Sequence, residues 1–472
     1  MSGMDPSSGA YFARIGSFVA DGAGNISSWQ EDVVDLGTSV GQDTLSGKYN
    51  VLASGRGTIV LKDTTGNALD CTLDLQSSGQ GLLVETDGNF ASSGSFNLQN
   101  VNDFLATSVN GTYVFDFPGV SLAGTNVTPI SLIGTIAPNG NGVISGGVFD
   151  TNDANNGHIG PSTFSPGSFQ LDPTYGATYG RGIASFGGAT FAFYIVDSTH
   201  LKFIEEDPSE LVGSSGDALL QSGTIPATTA AFTGSFAYLV GGSSTLTQGA
   251  FASVARFTVS GTGTIGTISY DENNDGKATH ISQGSNITNA TYAIDTTNAG
   301  SGRGTFTFTD TTGTYSYVFY LYSPTSGVSQ DVSTNIIADG TLLGQSGSPF
   351  TLSGLAASYA YNWNGVNNSS GNEEDFIGLF TLGTGTNSNI TGVLDGTVIG
   401  SSGGNSYPNI GTQGTLTIAS DGTTTNTLQI VAGSPLSATY NSVVYIVNAN
   451  TMFILDTDES SVLAGVATRQ SD

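Results

Sequence analysis

The chain has 472 residues, 67 of them Gly, with 10% charged and 38% hydrophobic residues and a formal net charge of -28 at pH 7. A length like this suggests roughly three or four domains, and the scarcity of Lys, Arg, Met and Glu leaves little from which to build helices. Ten basic residues against that net charge argue against nucleic acid and anionic lipid as partners, while 18 Tyr and 25 Phe supply packed cores and argue against a disordered Gly/Ser linker.

The first residues, MSGMDPSSGAYF, carry neither the basic n-region nor the apolar core of a secretory signal. Nowhere do eighteen consecutive apolar residues occur, so no membrane span is expected. Low Lys and Cys with high Gly, Ser, Thr and Asn nevertheless match bacterial extracellular proteins, and an extracellular or cell-surface location is expected. Cys71 is alone, which rules out a disulfide within this chain, and its alternating apolar run reads as a small buried side chain.

One phrase recurs four times. YFARIGSFVADGAGNISS from Tyr11, ISLIGTIAPNGNGVISGGVFD from Ile130, ASVARFTVSGTGTIGTISYD from Ala252 and DFIGLFTLGTGTNSNITGVLD from Asp375 each join an alternating strand, a Gly/Asn turn and a second short strand. This is a repeated β-hairpin. Aligning on it divides the chain into β-domains at 1–106, 107–223, 224–347 and 348–472, a tandem duplication. In the second unit eight strands are expected: GTYVFDF from Gly111, ISLIGTIA, GVISGGVF, GSFQLD, GRGIASF, TFAFYIV, HLKFIEE and DALLQSG. Strands joined in order by short turns predict an all-β chain of four antiparallel eight-stranded meander barrels, with a Greek-key β-sandwich as the alternative.

Smaller landmarks keep the same register. A GRG or GxG step occurs at Gly55-Arg56-Gly57, Gly180-Arg181-Gly182, Gly302-Arg303-Gly304 and Thr412-Gln413-Gly414. The Arg there reads as a strand-end surface charge or an internal ion-pair partner. Units close on Leu98-Gln99-Asn100, Gln221-Ser222-Gly223, Gln345-Ser346-Gly347 and Gln470-Ser471-Asp472. Units two to four open on an aromatic strand, whereas unit one starts almost directly with its hairpin. The first domain is therefore expected to lack its first strand, leaving a slot for strand insertion from another chain.

The GxYxF opening, the DGxGNI or NGxGVI turn, the GRGT step and the closing LLxQSG together resemble the tandem β-repeat surface proteins of acidobacterial type. That resemblance covers all four units and implies secretion and a surface or matrix role, without naming a catalytic residue. Unit one departs from it by lacking GxYxF, and unit four by carrying Gln413 in place of Arg.

Few motifs suggest chemistry. DENNDG, with Asp271, Asn273 and Asp275, sets oxygen ligands at alternating positions with Gly at the sixth, as a Ca²⁺ loop begins, but Ser282 stands at the twelfth position. The rival reading is a solvated hairpin turn, and FDTNDANNG with Asp150, Asn152 and Asp153 is its relative in unit two. Acidic pairs recur at Glu85/Asp87, Glu205/Asp207 and Asp456/Asp458. Two-residue spacing in a strand sets both carboxylates on one face, but one copy per domain argues for polar strand ends over a glycosidase-like pair. The GxSxG at Gly37–Gly41 and the GxGxxG at Gly261–Gly266 read as composition and as a hairpin turn. His158, His200 and His280 are dispersed, and Trp29 and Trp363 are too few for a sugar platform.

The expected protein is thus a non-enzymatic extracellular structural component, a filament or matrix subunit assembled by strand pairing or insertion. Its partners would be copies of itself or another surface protein, bound through the open first domain. The alternative is an adhesin or carbohydrate-binding surface protein with glycan partners. No cofactor is expected beyond possible Ca²⁺.

Overall fold

The structure, a computed structural model, describes residues 1–5, 10–36, 39–62, 68–123, 126–206, 212–282, 287–368, 370–383, 388–400, 403–418 and 426–471. Its elements are antiparallel strands, and among the described residues helix is limited to the single turns Gly176–Tyr179 and Leu352–Leu355 and three 3-10 turns. No helix among the described residues is long and apolar enough to cross a membrane.

Four successive sheets form, over 2–97, 113–220, 233–344 and 358–469. In the first and fourth, eight strands pair in sequence order and the last pairs with the first, which makes each a closed meander barrel. Among the described residues the second sheet has ten strands and the third nine; in both, the first strand again pairs with the last, but hydrogen bonding between the described residues does not run the full circuit. They are curled sheets rather than closed barrels. The difference in the second sheet comes from GVISGGVF, which divides into Val143–Ile144 and Gly147–Asp153, and from an additional strand, Gly157–Phe164. That strand carries Gly160 and Pro161 and little alternation, so its propensity conceals it.

The expectation of a first domain without its first strand is overturned. Ser2–Asp5 pairs with Ala10–Ala20 on one side and Ala91–Asn97 on the other, and closes the barrel. Four residues, SGMD, carry no aromatic alternation, but strand closure is made by backbone groups that any residue supplies. Gly3 suits the position, since a Cβ there would collide with the Ala91 carbonyl oxygen. Among the described residues the eight strands complete the circuit and leave no slot between them for strand insertion.

Alternation explains burial on both faces of the strands. On the strand Tyr113–Ala123, Tyr113, Phe115 and Phe117 fill the second sheet's core, while Val114 faces out and packs on the third sheet with Ile133, Val318, Tyr320 and Val328. The other neighbours meet through equivalent seams. Ala13, Ile15 and Val34 pack on Ala192, Tyr194 and Ile204, and Val254 and Ala252 pack against Tyr445, Phe453 and Leu455. The fourth seam returns to the start: Leu82 and Val84 of the first barrel pack on Ala360, Ile377 and Leu379 of the fourth. The four sheets therefore close into a ring. Linker residues Phe104, Phe232 and Leu355 reach into the cores of the sheets they precede, which couples each link to the next fold.

Candidate functional site

The polar groups singled out by the repeat converge on the ring's seams. On the second strand of each recurring hairpin, one acid pairs across with an apolar seam residue: Asp32 opposite Ile15, Asp150 opposite Ile133, Asp271 opposite Val254 and Asp395 opposite Ile377. Each carboxylate points into the next seam. Arg181 donates to Asp32 through Nε at 2.9 Å and Nη2 at 2.7 Å, and Tyr194 Oη donates to the same carboxylate at 2.7 Å. Arg303 clamps Asp150 through Nε at 2.7 Å and Nη2 at 2.8 Å, with Tyr320 Oη at 2.6 Å. Asp150 is buried, which opposes ionisation, but the hydrogen bonds from Arg303, His158 and Tyr320 outweigh that and hold its carboxyl down at about 2. The GRG arginines are thus ion-pair partners between units rather than free surface charges.

The third seam departs from this pattern. Tyr445 Oη donates to Asp271 Oδ2 at 2.5 Å, and His280 Nδ1 lies 2.7 Å from Asp271 Oδ1. Gln413, aligned with the arginines on sequence, lies one strand earlier, on Gly403–Thr417. The position that would face Tyr445, as Arg181 faces Tyr194, falls outside the described residues. The fourth seam closes the ring with Arg56, whose Nε and Nη2 reach Asp395 at 2.7 and 2.5 Å.

A second repeated device is the Gln that ends each unit. Gln99 Nε2 donates to the carbonyls of Tyr179 and Ile195, Gln221 to those of Ser301 and Leu321, and Gln345 to that of Ile446. Gln470 donates to Ser54 and Leu75 of the first barrel at 3.2 and 2.7 Å. The next backbone amide crosses each seam too: Asn100 to Val196, Ser222 to Tyr322, Ser346 to Val447 and Ser471 to Gln76.

The residues considered for calcium serve the third seam. Asp271 is bound as above. Asn273 is fully buried; its Nδ2 donates to the carbonyls of Asp456, Asp458 and Ser461, and its Oδ1 accepts from Gly276 N. Asp275 and Gly276 have φ of 55° and 80° and form the two-residue hairpin turn between Asn274 and Lys277. Among the described residues no group of three acidic, His or Cys side chains is arranged to hold a metal ion.

The acidic pairs divide their roles. Glu85 is buried beside Arg14 and accepts from Ser92 Oγ at 2.8 Å, while Asp87 accepts turn amides from Asp70 and Asn89. Asp456 accepts from Ser461 Oγ, and Asp458 from Asn441 N. Glu205 accepts from Ser214 Oγ, and Asp207 lies outside the described residues. Each His sits beside a carboxylate: His158 by Asp150, His200 by Asp217 and His280 by Asp271, at 2.7, 2.6 and 2.7 Å. Burial pushes the Cys71 thiol well above its ordinary range inside the first barrel's core. Gly37 and Thr38 of the GxSxG lie outside the described residues, and Gly261 and Gly263 are left-handed turn residues.

A cavity of about 840 Å³ lies where the first barrel meets the second sheet and reaches the third. Phe18 and Phe96 of the first barrel line it with His200, Lys202 and Asp217 of the second sheet and Tyr322 of the third. Lys202 Nζ lies 2.8 Å from Asp217 Oδ1, so this rim holds a shared positive and negative pair.

No family model and no curated protein matches the chain. Among solved structures, it is similar to isotype 1 transferrin binding protein B from serogroup B Neisseria meningitidis, at 11% identity over 97% of this chain and 88% of that one, with a TM-score of 0.23. A mutant transferrin binding protein B from Haemophilus parasuis Hp5 shares 8% identity over 85% of this chain and 86% of its own, with a TM-score of 0.20. Intact Ap-TbpB shares 9% over 97% and 94%, with a TM-score of 0.18. Scores this low carry no argument about what this chain does.

Proposed function

We propose that this chain is a non-catalytic binding protein of the cell exterior, a ring of four β-domains whose cleft between the first barrel and the second sheet takes an oligosaccharide. The observation that carries this reading is the closure of the ring. Gln470 and Arg56 bind the fourth domain back onto the first, so these seam groups are engaged within the chain rather than offered to a neighbour. The four hairpin acids Asp32, Asp150, Asp271 and Asp395 serve as partners of Arg, His and Tyr in the seams, a structural use. The cleft adds aromatic rings for the apolar faces of sugars and a polar rim for their hydroxyls, the mixture small-ligand sites use. Titration with an oligosaccharide library, read by fluorescence of Trp29 at the cavity wall, tests it. Absence of saturable binding across the library would sink the reading.

A filament subunit stands as a second reading, supported by one feature. The strand Gly157–Phe164 ends the second sheet's order and is exposed over most of its length, with Ile159 half exposed. An exposed edge can pair with another chain. Sedimentation over a wide concentration range separates the two: a monomer throughout leaves only the binding reading.

A further inference from the structure

The closing seam differs from the first two in one residue. Arg181 pairs across its sheet with Tyr194 and Arg303 with Tyr320, whereas Arg56 pairs with Asp74. In the first two seams the Tyr hydroxyl donates to the very carboxylate that the Arg clamps. Asp74 takes the place of that donor. It is fully buried, and among the described residues neither of its oxygens has a hydrogen-bond partner. The charged and titratable groups that face it are Arg56 from the neighbouring strand, and Asp395 and Tyr361 from the fourth barrel. Asp395 already accepts from Arg56 and from the Asn409 amide.

A carboxylate at this position would be the second anion beside one guanidinium, and no hydrogen-bond donor among the described residues reaches it. A protonated carboxyl there is neutral and can donate, as Tyr194 and Tyr320 do. We propose that the seam between the fourth and first barrels is a pH-gated joint of the ring, latched while Asp74 holds its proton and released when Asp74 ionises against Asp395. Burial, and next the charge of Asp395, push this carboxyl up to about 8, with Arg56 opposing. In an opened seam Asp74 is hydrated and titrates near the ordinary value of about 4. The closed form therefore binds the proton more tightly. Closure is at full strength below about pH 4, and its equilibrium constant falls by about tenfold per pH unit until about pH 8.

Glu206 in the first seam is also pushed up to about 8, by burial and its hydrogen bond with Asp32. It differs in having a partner, since Arg181 Nη2 reaches it at 3.1 Å, and in being partly exposed. Its ionised form has a direct Arg181 contact and partial exposure to meet it, whereas no donor among the described residues reaches Asp74.

The four seam-crossing amides report each joint separately. Hydrogen exchange of Asn100, Ser222, Ser346 and Ser471, corrected for intrinsic rate, is measured from about pH 5 to about pH 9, a span that brackets the transition. Protection of Ser471 is expected to fall severalfold or more per pH unit up to about 8, whatever the other three amides do. Asp74→Asn should flatten the Ser471 response, and Asp74→Tyr, which restores the residue of the first two seams, should do the same if the Asn variant folds poorly. Glu206→Gln should leave Ser471 unchanged. A wild-type Ser471 whose protection does not vary with pH, or an undiminished slope in the Asp74 variants, would each overturn the proposal.

Discussion

Arg56 and Asp395, 339 residues apart in the chain, meet in a two-pronged ion pair with Nε–Oδ2 and Nη2–Oδ1 distances of 2.7 and 2.5 Å. The pair joins the first barrel to the fourth, and repeats at the closing seam what Arg181 with Asp32 and Arg303 with Asp150 do within the array. A linear string of domains would leave the first unit's GRG Arg and the fourth unit's hairpin Asp in water. Here each finds the other.

Removing Arg56 should therefore open the ring rather than unfold a domain. Asp395 is fully buried, so Arg56→Gln leaves a carboxylate without its counter-charge, which costs about 3 kcal/mol. The expected result is a larger radius of gyration by small-angle scattering with unchanged strand content by circular dichroism. Arg56→Lys should fall between the two, because an ammonium cannot fork onto both oxygens.

The terminal glutamines should matter in the same way at each seam. Gln221 Nε2 donates to the Ser301 and Leu321 carbonyls at 3.0 and 2.9 Å. Gln221→Ala strands both acceptors, and a loss of about 1–2 kcal/mol is expected in urea unfolding followed by near-ultraviolet signals. Gln470→Ala should give a comparable loss, felt at the closing seam.

Much of this fold was legible in the chain, and the unread parts share a cause. Alternation of Tyr113, Phe115 and Phe117 announced a strand, and the recurring hairpin announced four units, because side-chain periodicity reports burial. Ser2–Asp5 and Gly157–Phe164 are held by backbone pairing with little apolar alternation, so periodicity is silent about them. The displaced reading of Gln413 has a similar origin, since Gly-rich steps occur on several strands of one unit. The ring itself left a signal that went unused. One acid closes three of the four hairpin phrases, at Asp150, Asp271 and Asp395, and the GRG step carries Arg in three of the four units of a chain with ten basic residues. Charges repeated in that way, set among apolar neighbours, are partners waiting for each other across a repeat boundary.

Acid should weaken the second seam through Asp150. Its carboxyl sits at about 2 in the folded protein and near about 4 when unfolded. A depressed value contributes stability that is present above about pH 4 and is lost as pH falls towards about 2. Asp150→Asn should lower the unfolding free energy read by urea at neutral pH by about 3 kcal/mol, for an unpaired Arg303, and should remove part of the acid slope between those values. An unaltered slope in the variant would assign acid sensitivity to other carboxylates.

Asn273→Asp distinguishes a seam residue from a cation ligand. In the structure, the Asn273 amide nitrogen faces three carbonyl oxygens, those of Asp456, Asp458 and Ser461, at 3.0, 3.2 and 2.9 Å. An aspartate sets an acceptor against those acceptors in a fully buried site, so each carbonyl loses its donor and the carboxylate is left unsolvated. A loss of about 3 kcal/mol or more is expected, because buried donors and acceptors left unmatched are the costly case. Asn273→Asp would also strengthen a Ca²⁺ loop, by supplying a charged ligand at the third position of DENNDG. The two roles predict opposite responses. As a seam residue the variant melts lower than the parent, and calcium does not restore it; a melting temperature rescued by calcium would instead make DENNDG a cation site that the seam bonds conceal.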